Sequence, residues 1–135
     1  GMTDEDLLAR ADAIASRAYA PYSHFHVGCA VLTRDGAVVE GVNVENAAYP
    51  LGVCAERTTF ARAIVEGYKP GDFTVAAITA SPCGGCRQRI HEFAVDGRIS
   101  THFPWQGGAV RTAALDELLP YAFFLPSRAT TRDGP

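Results

Sequence analysis

The run Val75-Ala76-Ala77-Ile78-Thr79-Ala80-Ser81-Pro82-Cys83-Gly84-Gly85-Cys86 changes character halfway along. Val75 to Ala80 is a short apolar stretch of the kind a buried strand makes. Pro82 biases Ser81 toward extended backbone and is itself tolerated in the first turn of a helix, so a helix opens here and runs from about Cys83 to Ala94. A strand feeding a helix is the building unit of an α/β layered domain. The two cysteines fall at the junction, where free N–H groups and the helix dipole favour negatively charged sulfur.

Working outward, the same two periodicities recur. Between Asp4 and Tyr19, Leu7, Leu8, Ala11, Ile14, Ala15 and Ala18 follow helical spacing, with Pro21 as the stop. Phe25–Leu32 and Val38–Val44 are rich in β-formers, and Arg34-Asp35-Gly36 between them supplies a turn, so the pair reads as an antiparallel hairpin. A loop from Asn46 to Val53 leads to a second helix over Ala55–Glu66, with Gly67 as its C-terminal stop. Cys54 therefore also sits at a helix start. Beyond the third helix come a short strand at Ile99–His102, another around Val110–Ala113 and an apolar tail from Leu115 to Leu125. Ala129 to Pro135 is expected to be frayed.

The chain of 135 residues, 47% of them hydrophobic, matches one globular domain spanning 1–135. Gly1 ahead of Met2 reads as a cloning scar. The net charge is −3 and no run of Lys or Arg is present, which argues against nucleic acid as a partner and for a small molecule. Met2-Thr3-Asp4-Glu5-Asp6 is acidic where a secretory signal would be basic, and no apolar stretch reaches membrane-spanning length, so a cytoplasmic protein without membrane contact is expected.

Cys83 and Cys86, with the Cys54 thiol, supply three soft ligands, the number a catalytic zinc takes when its fourth position is kept for water. Three thiolates on Zn2+ leave a net charge of about −1, which blunts the metal's power to acidify water. A nearby cation is then needed. Arg57 and Arg87 both adjoin the motifs, and Arg57 is the preferred donor to a ligand sulfur. Glu56, two residues after Cys54 on the same first turn, can reach a water at the metal without ligating it, as a proton shuttle must. Two other readings fit the cysteines: a redox pair at Cys83 and Cys86, or a closed structural zinc site completed by a histidine such as His91. His91, five residues past Cys86, points to another helix face. Cys29 reads as a small packed side chain, and His24 and His26 as surface groups.

Cys54-Ala55-Glu56-Arg57 followed by Pro82-Cys83-Gly84-Gly85-Cys86-Arg87-Gln88 resembles the signature of the cytidine deaminases, a zinc-deaminase pattern of general currency. The likeness extends in order through Tyr19-Ala20-Pro21-Tyr22-Ser23, Phe25-His26-Val27-Gly28, Gly41 to Ala47 and Leu118 to Phe123, nearly the whole chain. Deaminases of tRNA, guanine or deoxycytidylate usually carry a histidine in the first motif, so Cys54 points to the free-nucleoside branch. The resemblance implies a three-layer α-β-α domain with a mixed sheet of about five strands, one Zn2+ per subunit, and hydrolysis of cytidine, and of 2'-deoxycytidine, to the uracil nucleoside and ammonia in pyrimidine salvage. Glu56 would carry protons to N3 and to the departing amine.

It also implies that Asn43 and Glu45, which alternate to one side of a strand end, bind the ribose hydroxyls; the alternative is a pair that closes a loop. Phe25 matches the aromatic that packs on the pyrimidine, and the Ala55 backbone helps to read the base. In tetrameric members a neighbouring subunit closes the pocket, and Ala47, Tyr49 and Phe123 occupy the matching positions. With the small residues of the helices, such as Thr58, Thr59, Ala61 and Ala63, this implies a homotetramer, with a dimer as the alternative. The sequence departs from the family pattern at Arg89, commonly apolar, at Gly85, often Ala, and at Phe103-Pro104-Trp105-Gln106, which is expected to interrupt the fourth strand. A deaminase of a modified cytosine nucleoside, of the blasticidin S type, shares both cysteine motifs but lacks the Asn-x-Glu-Asn run at Asn43–Asn46. A non-catalytic zinc-binding domain of the same fold is the rival from another class, and it has no need of Glu56.

Overall fold

The computed structural model describes residues 1–125, so the frayed end expected over 129–135 lies outside the described residues. Five strands form one mixed sheet: β1 (Gly28–Thr33), β2 (Val38–Val42), β3 (Phe73–Ile78), β4 (Ser100–Pro104) and β5 (Val110–Ala114). Their order is β2-β1-β3-β4-β5. Only β3 and β4 run parallel; the other neighbours are antiparallel. Helix α1 (Asp4–Ala15) covers one face, while α2 (Ala55–Val65) and α3 (Gly84–Phe93) cover the other. A short helix, α4 (Leu115–Leu118), follows β5. This is the three-layer α-β-α arrangement with a five-stranded mixed sheet that the sequence implied.

The alternation of side chains along β1 and β3 builds the two cores. Cys29, Val31, Ala76 and Ile78 face α2 and α3, where they join Phe60, Phe73 and Ile90. Phe60 packs edge-on against Phe73 and stacks on Phe93, with ring centroids 5.1 and 4.9 Å apart. Burying each such ring contributes on the order of 1.5–3 kcal/mol. Ala30 and Ala77 turn the other way, to Leu7 and Ala11 of α1. These are small residues, and α1 comes close: a Cβ at Gly28 would lie 1.9 Å from the Ala11 carbonyl oxygen. Gly41 does the same for α2, since a Cβ there would meet the Thr59 hydroxyl at 2.3 Å. The helix α1 begins with a capping box in which Thr3 and Asp6 bond each other's backbone amides, both at 3.1 Å.

The boundaries shift where other groups claim the backbone. The first helix ends at Ala15 rather than Tyr19, because the Tyr19 amide bonds Asn43 O and its carbonyl takes the Glu45 amide. Residues 25–27 stay outside β1: the Asn43 side chain bonds Phe25 O and Val27 N, both at 2.8 Å, in place of a strand ladder. The Phe103-Pro104 segment does not interrupt the fourth strand, which runs on to a Pro104–Val110 pair. Its partner β3 pairs only with Ser100 to His102, so beyond that point β4 has one neighbour and tolerates a residue without an N–H. Gly107 and Gly108, both at positive φ, close the turn to β5.

Candidate metal centre and active site

Both helix starts on the α2–α3 face carry cysteine. The chain leaves β3 at Ile78 and turns through Pro82, so that Cys83 stands in extended backbone as the N-cap of α3 and Cys86 lies buried in its first turn. Cys54 is the N-cap of α2. It is fixed there by paired backbone bonds between Val44 and Val53, 3.0 and 2.9 Å, which close the loop containing the single turn at Tyr49–Leu51. The three Sγ atoms lie within 4.8 Å of one another. Tetrahedral zinc with Zn–S bonds of about 2.3 Å would space them about 3.8 Å apart, so a small contraction suffices. Among the described residues this group has three members and no fourth protein donor, which fits an open coordination position. His91 is elsewhere, its ring tilted against Phe124 with centroids 6.1 Å apart.

The thiols are not equivalent. Burial resists ionisation of Cys83, yet the Cys86 backbone amide and the neighbouring Cys86 and Cys54 thiols outweigh it and lower its pKa. Burial raises Cys54 and Cys86, and the nearby Glu56 charge adds to this. Cationic metal reverses that balance by favouring the thiolates. Glu56 is 3% exposed. Burial pushes its carboxyl up, while its own backbone amide, the Cys86 thiol and the Arg89 charge pull it down.

The arginines depart from the expectation. Arg57, the preferred donor to a ligand sulfur, makes no described hydrogen bond to one; it is exposed and lines the same groove as Arg89, Phe60 and Phe93. Arg87 is committed to the fold, its Nε bonding Pro82 O at 2.9 Å and its Nη1 bonding Leu118 O at 3.1 Å. The guanidinium that faces a ligand is that of Arg89, with Nη1 3.7 Å from Cys86 Sγ. The sequence marks Arg89 as a departure from the family pattern away from the metal chemistry, although its spacing of three from Cys86 places it on the same helix face.

A cleft of about 350 Å³ opens onto the cluster. Cys54, Cys83 and Glu56 line it together with Phe25, Asn43, Glu45 and Ala55. Phe25 is 60% exposed, so it is a wall of the cleft and not a core residue. Asn43 and Glu45 both face the cleft and both close loops. Asn43 holds residues 25–27, and Glu45 accepts the Tyr22 and Ser23 amides, at 2.9 and 3.1 Å, and the Ser23 hydroxyl. Those bonds hold the Glu45 carboxyl below the usual range, the Ser23 hydroxyl foremost. Tyr49 stands at the mouth, edge-on to Tyr22. Ala47 and Phe123 are exposed and do not line this cleft. Ser81, which does, was not singled out; its signal is the extended backbone that Pro82 imposes next to Cys83.

Comparison with known proteins agrees with this geometry. Residues 2–101 match the family model described as the cytidine and deoxycytidylate deaminase zinc-binding region. The cytidine deaminase of Sporosarcina psychrophila is 39% identical over 128 residues, covering 90% of this chain and 92% of that protein. The crystal structure of cytidine deaminase from Burkholderia pseudomallei superposes with a TM-score of 0.84 at 42% identity, over 90% of this chain and 100% of that one. That of Mycobacterium tuberculosis gives a TM-score of 0.79 at 34% identity, over 93% and 100%. With a zinc-binding motif matched over most of its length and the sulfur cluster assembled in its fold, the chain belongs to the cytidine and deoxycytidylate deaminase family.

Proposed function

We propose that this protein deaminates cytidine hydrolytically. The observation that carries the reading is Glu56: a carboxyl group almost wholly buried, lining the same cleft as Cys54 and Cys83, where the cysteine cluster leaves one coordination position open. Cys54, Cys83 and Cys86 are the residues that would hold zinc, which when bound supplies Lewis-acid activation of water. Glu56 takes a proton from the attacking water and delivers it to N3 of the base. A second proton passes through the same carboxyl to the departing nitrogen; the C4–N bond breaks, a C4–O bond replaces it, and ammonia and uridine result. Phe25 packs against the pyrimidine, and the backbone at Ala55 bonds its edge. Asn43 and Glu45 keep spare capacity beyond their loop bonds: one amide N–H, one amide lone pair and one lone pair of the carboxylate Oε2 are the groups available to ribose hydroxyls.

Recognition through the sugar's 3'-hydroxyl would admit 2'-deoxycytidine as a second substrate, and the reaction belongs to pyrimidine salvage. Three thiols required in reduced form favour the cytoplasm. Tyr49, Leu51 and Phe123 are 77%, 67% and 71% exposed in the single chain, which supports burial in a homotetramer whose neighbours complete the cleft. A spectrophotometric assay with cytidine, 2'-deoxycytidine and blasticidin S, run beside zinc quantitation, tests the reading. Cytidine turnover with one zinc per chain is expected. Zinc without turnover of any of the three would overturn it, and turnover of blasticidin S alone would move the chain to the modified-nucleoside class.

A further inference from the structure

Arg89 lies in α3, three residues after Cys86 and four after Gly85, spacings that share one helix face. Its side chain folds back toward the helix N-terminus and brings Nη1 to 3.7 Å from Cys86 Sγ. The path runs over Gly85. A Cβ at that position would stand 3.3 Å from the same Nη1 and 4.0 Å from Cys83 Sγ, tight enough that the guanidinium would have to give way by a few tenths of an ångström, lengthening a sulfur contact already at 3.7 Å. No left-handed backbone requires glycine there: Gly85 lies in the first turn of α3 and is absent from the positive-φ residues. Helix propensity alone would favour alanine. The missing side chain therefore serves the arm that crosses it. Arg89 lines one groove with Arg57, Phe60 and Phe93.

The cluster has a use for this charge. Three thiolates around a divalent ion carry one negative charge more than the metal neutralises, and a hydrogen bond from a cation to a ligand sulfur draws some of it off. Arg87 is held by two carbonyl groups, and Arg57 makes no described bond to sulfur. We infer that Arg89, seated across Gly85, is a positioning residue that stabilises Cys86 as a zinc ligand and sets how tightly the cluster holds the metal. The inference rests on reading Cys54, Cys83 and Cys86 as the ligands.

The test uses the intact protein and reads zinc affinity by competition with a chromophoric chelator, together with the sulfur-to-metal charge-transfer band of the cobalt-substituted form. Arg89→Gln should still bind one zinc per chain but about tenfold more weakly, the lower end of what losing a partner of a ligand costs. Its cobalt band should move to longer wavelength, because the sulfur becomes more electron-rich. Gly85→Ala should shift both readouts the same way while its melting temperature, measured for both proteins in excess chelator, holds or rises, since alanine favours the helix. Loss of affinity in a protein no less stable separates displacement of the arm from damage to the fold. The double variant should bind no more weakly than Arg89→Gln alone, because the contact has already gone. Wild-type affinity and band position in Arg89→Gln, or additive losses in the double variant, would overturn the inference. A wild-type protein that takes up no zinc would overturn the ligand reading and this inference with it.

Discussion

At Asn43 one side chain serves two purposes, and a substitution can show both. Its amide oxygen and nitrogen replace strand bonds for Val27 and Phe25, so Asn43→Ala leaves two backbone groups without those partners. The Phe25 carbonyl is exposed and can turn to water, whereas the Val27 amide is part-buried, and a group of that kind costs up to about 1–3 kcal/mol when left unpaired. Phe25 is the contrasting case, because its ring is mostly exposed and only lines the cleft. Phe25→Ala should change thermal stability by less than about 0.5 kcal/mol. Loss of a ring contact worth about 0.5–1.5 kcal/mol should raise KM for cytidine by roughly twofold to tenfold. Asn43→Ala should raise KM and lower the melting temperature together. Steady-state kinetics beside calorimetry distinguishes the two patterns, and an unstable Phe25→Ala would show that the ring belongs to the core after all.

The elements were legible in the sequence wherever a repeating pattern set them, and less so where a single side chain did. The hairpin, the strand before Ser81 and the helices after Cys54 and Cys83 follow from periodicity, turn residues and Pro82, and their observed limits differ from expectation by no more than three residues. The end of α1 could not be read this way. Pro21 sets a latest stop, but it is pairing of Tyr19 with residues 43–45 that draws the chain away, so that the helix ends at Ala15, four residues before the expected Tyr19. In the site, the cysteines and Glu56 stand out because metal chemistry restricts residue type and spacing. The contact of Arg89 lies within α3, three residues from Cys86 and across Gly85, so its spacing was legible and the preference for Arg57 overlooked it. Close approach of elements is likewise invisible in a pattern of apolar residues. Gly28→Ala would drive a methyl group into the backbone of α1, where neither partner can move aside. Overpacking costs about 1–3 kcal/mol, and the upper end is expected here because the obstacle is main chain. Chemical denaturation measures it; a cost below about 0.5 kcal/mol would mean that α1 shifts freely over the sheet.

For the molecule as a whole, the three layers divide the work. Helix α1 supplies none of the residues that line the cleft, and the α2–α3 side supplies the sulfur cluster and Glu56. The metal would join the starts of two helices that otherwise meet through Phe60 and Phe93. Binding that is confined to the folded state stabilises it by mass action, so chelation should lower the melting temperature and restored zinc should raise it again. An unchanged melting temperature would place the metal outside the folding unit. The central claim is that Glu56 moves protons beside a zinc it does not ligate. It is tested most directly by Glu56→Gln, which keeps the shape of the side chain and removes the base. The variant should retain one zinc per chain while kcat/KM for cytidine falls by about 10²–10⁴-fold, the usual contribution of a positioned acid–base group. Activity within tenfold of wild type, with zinc intact, would contradict the account.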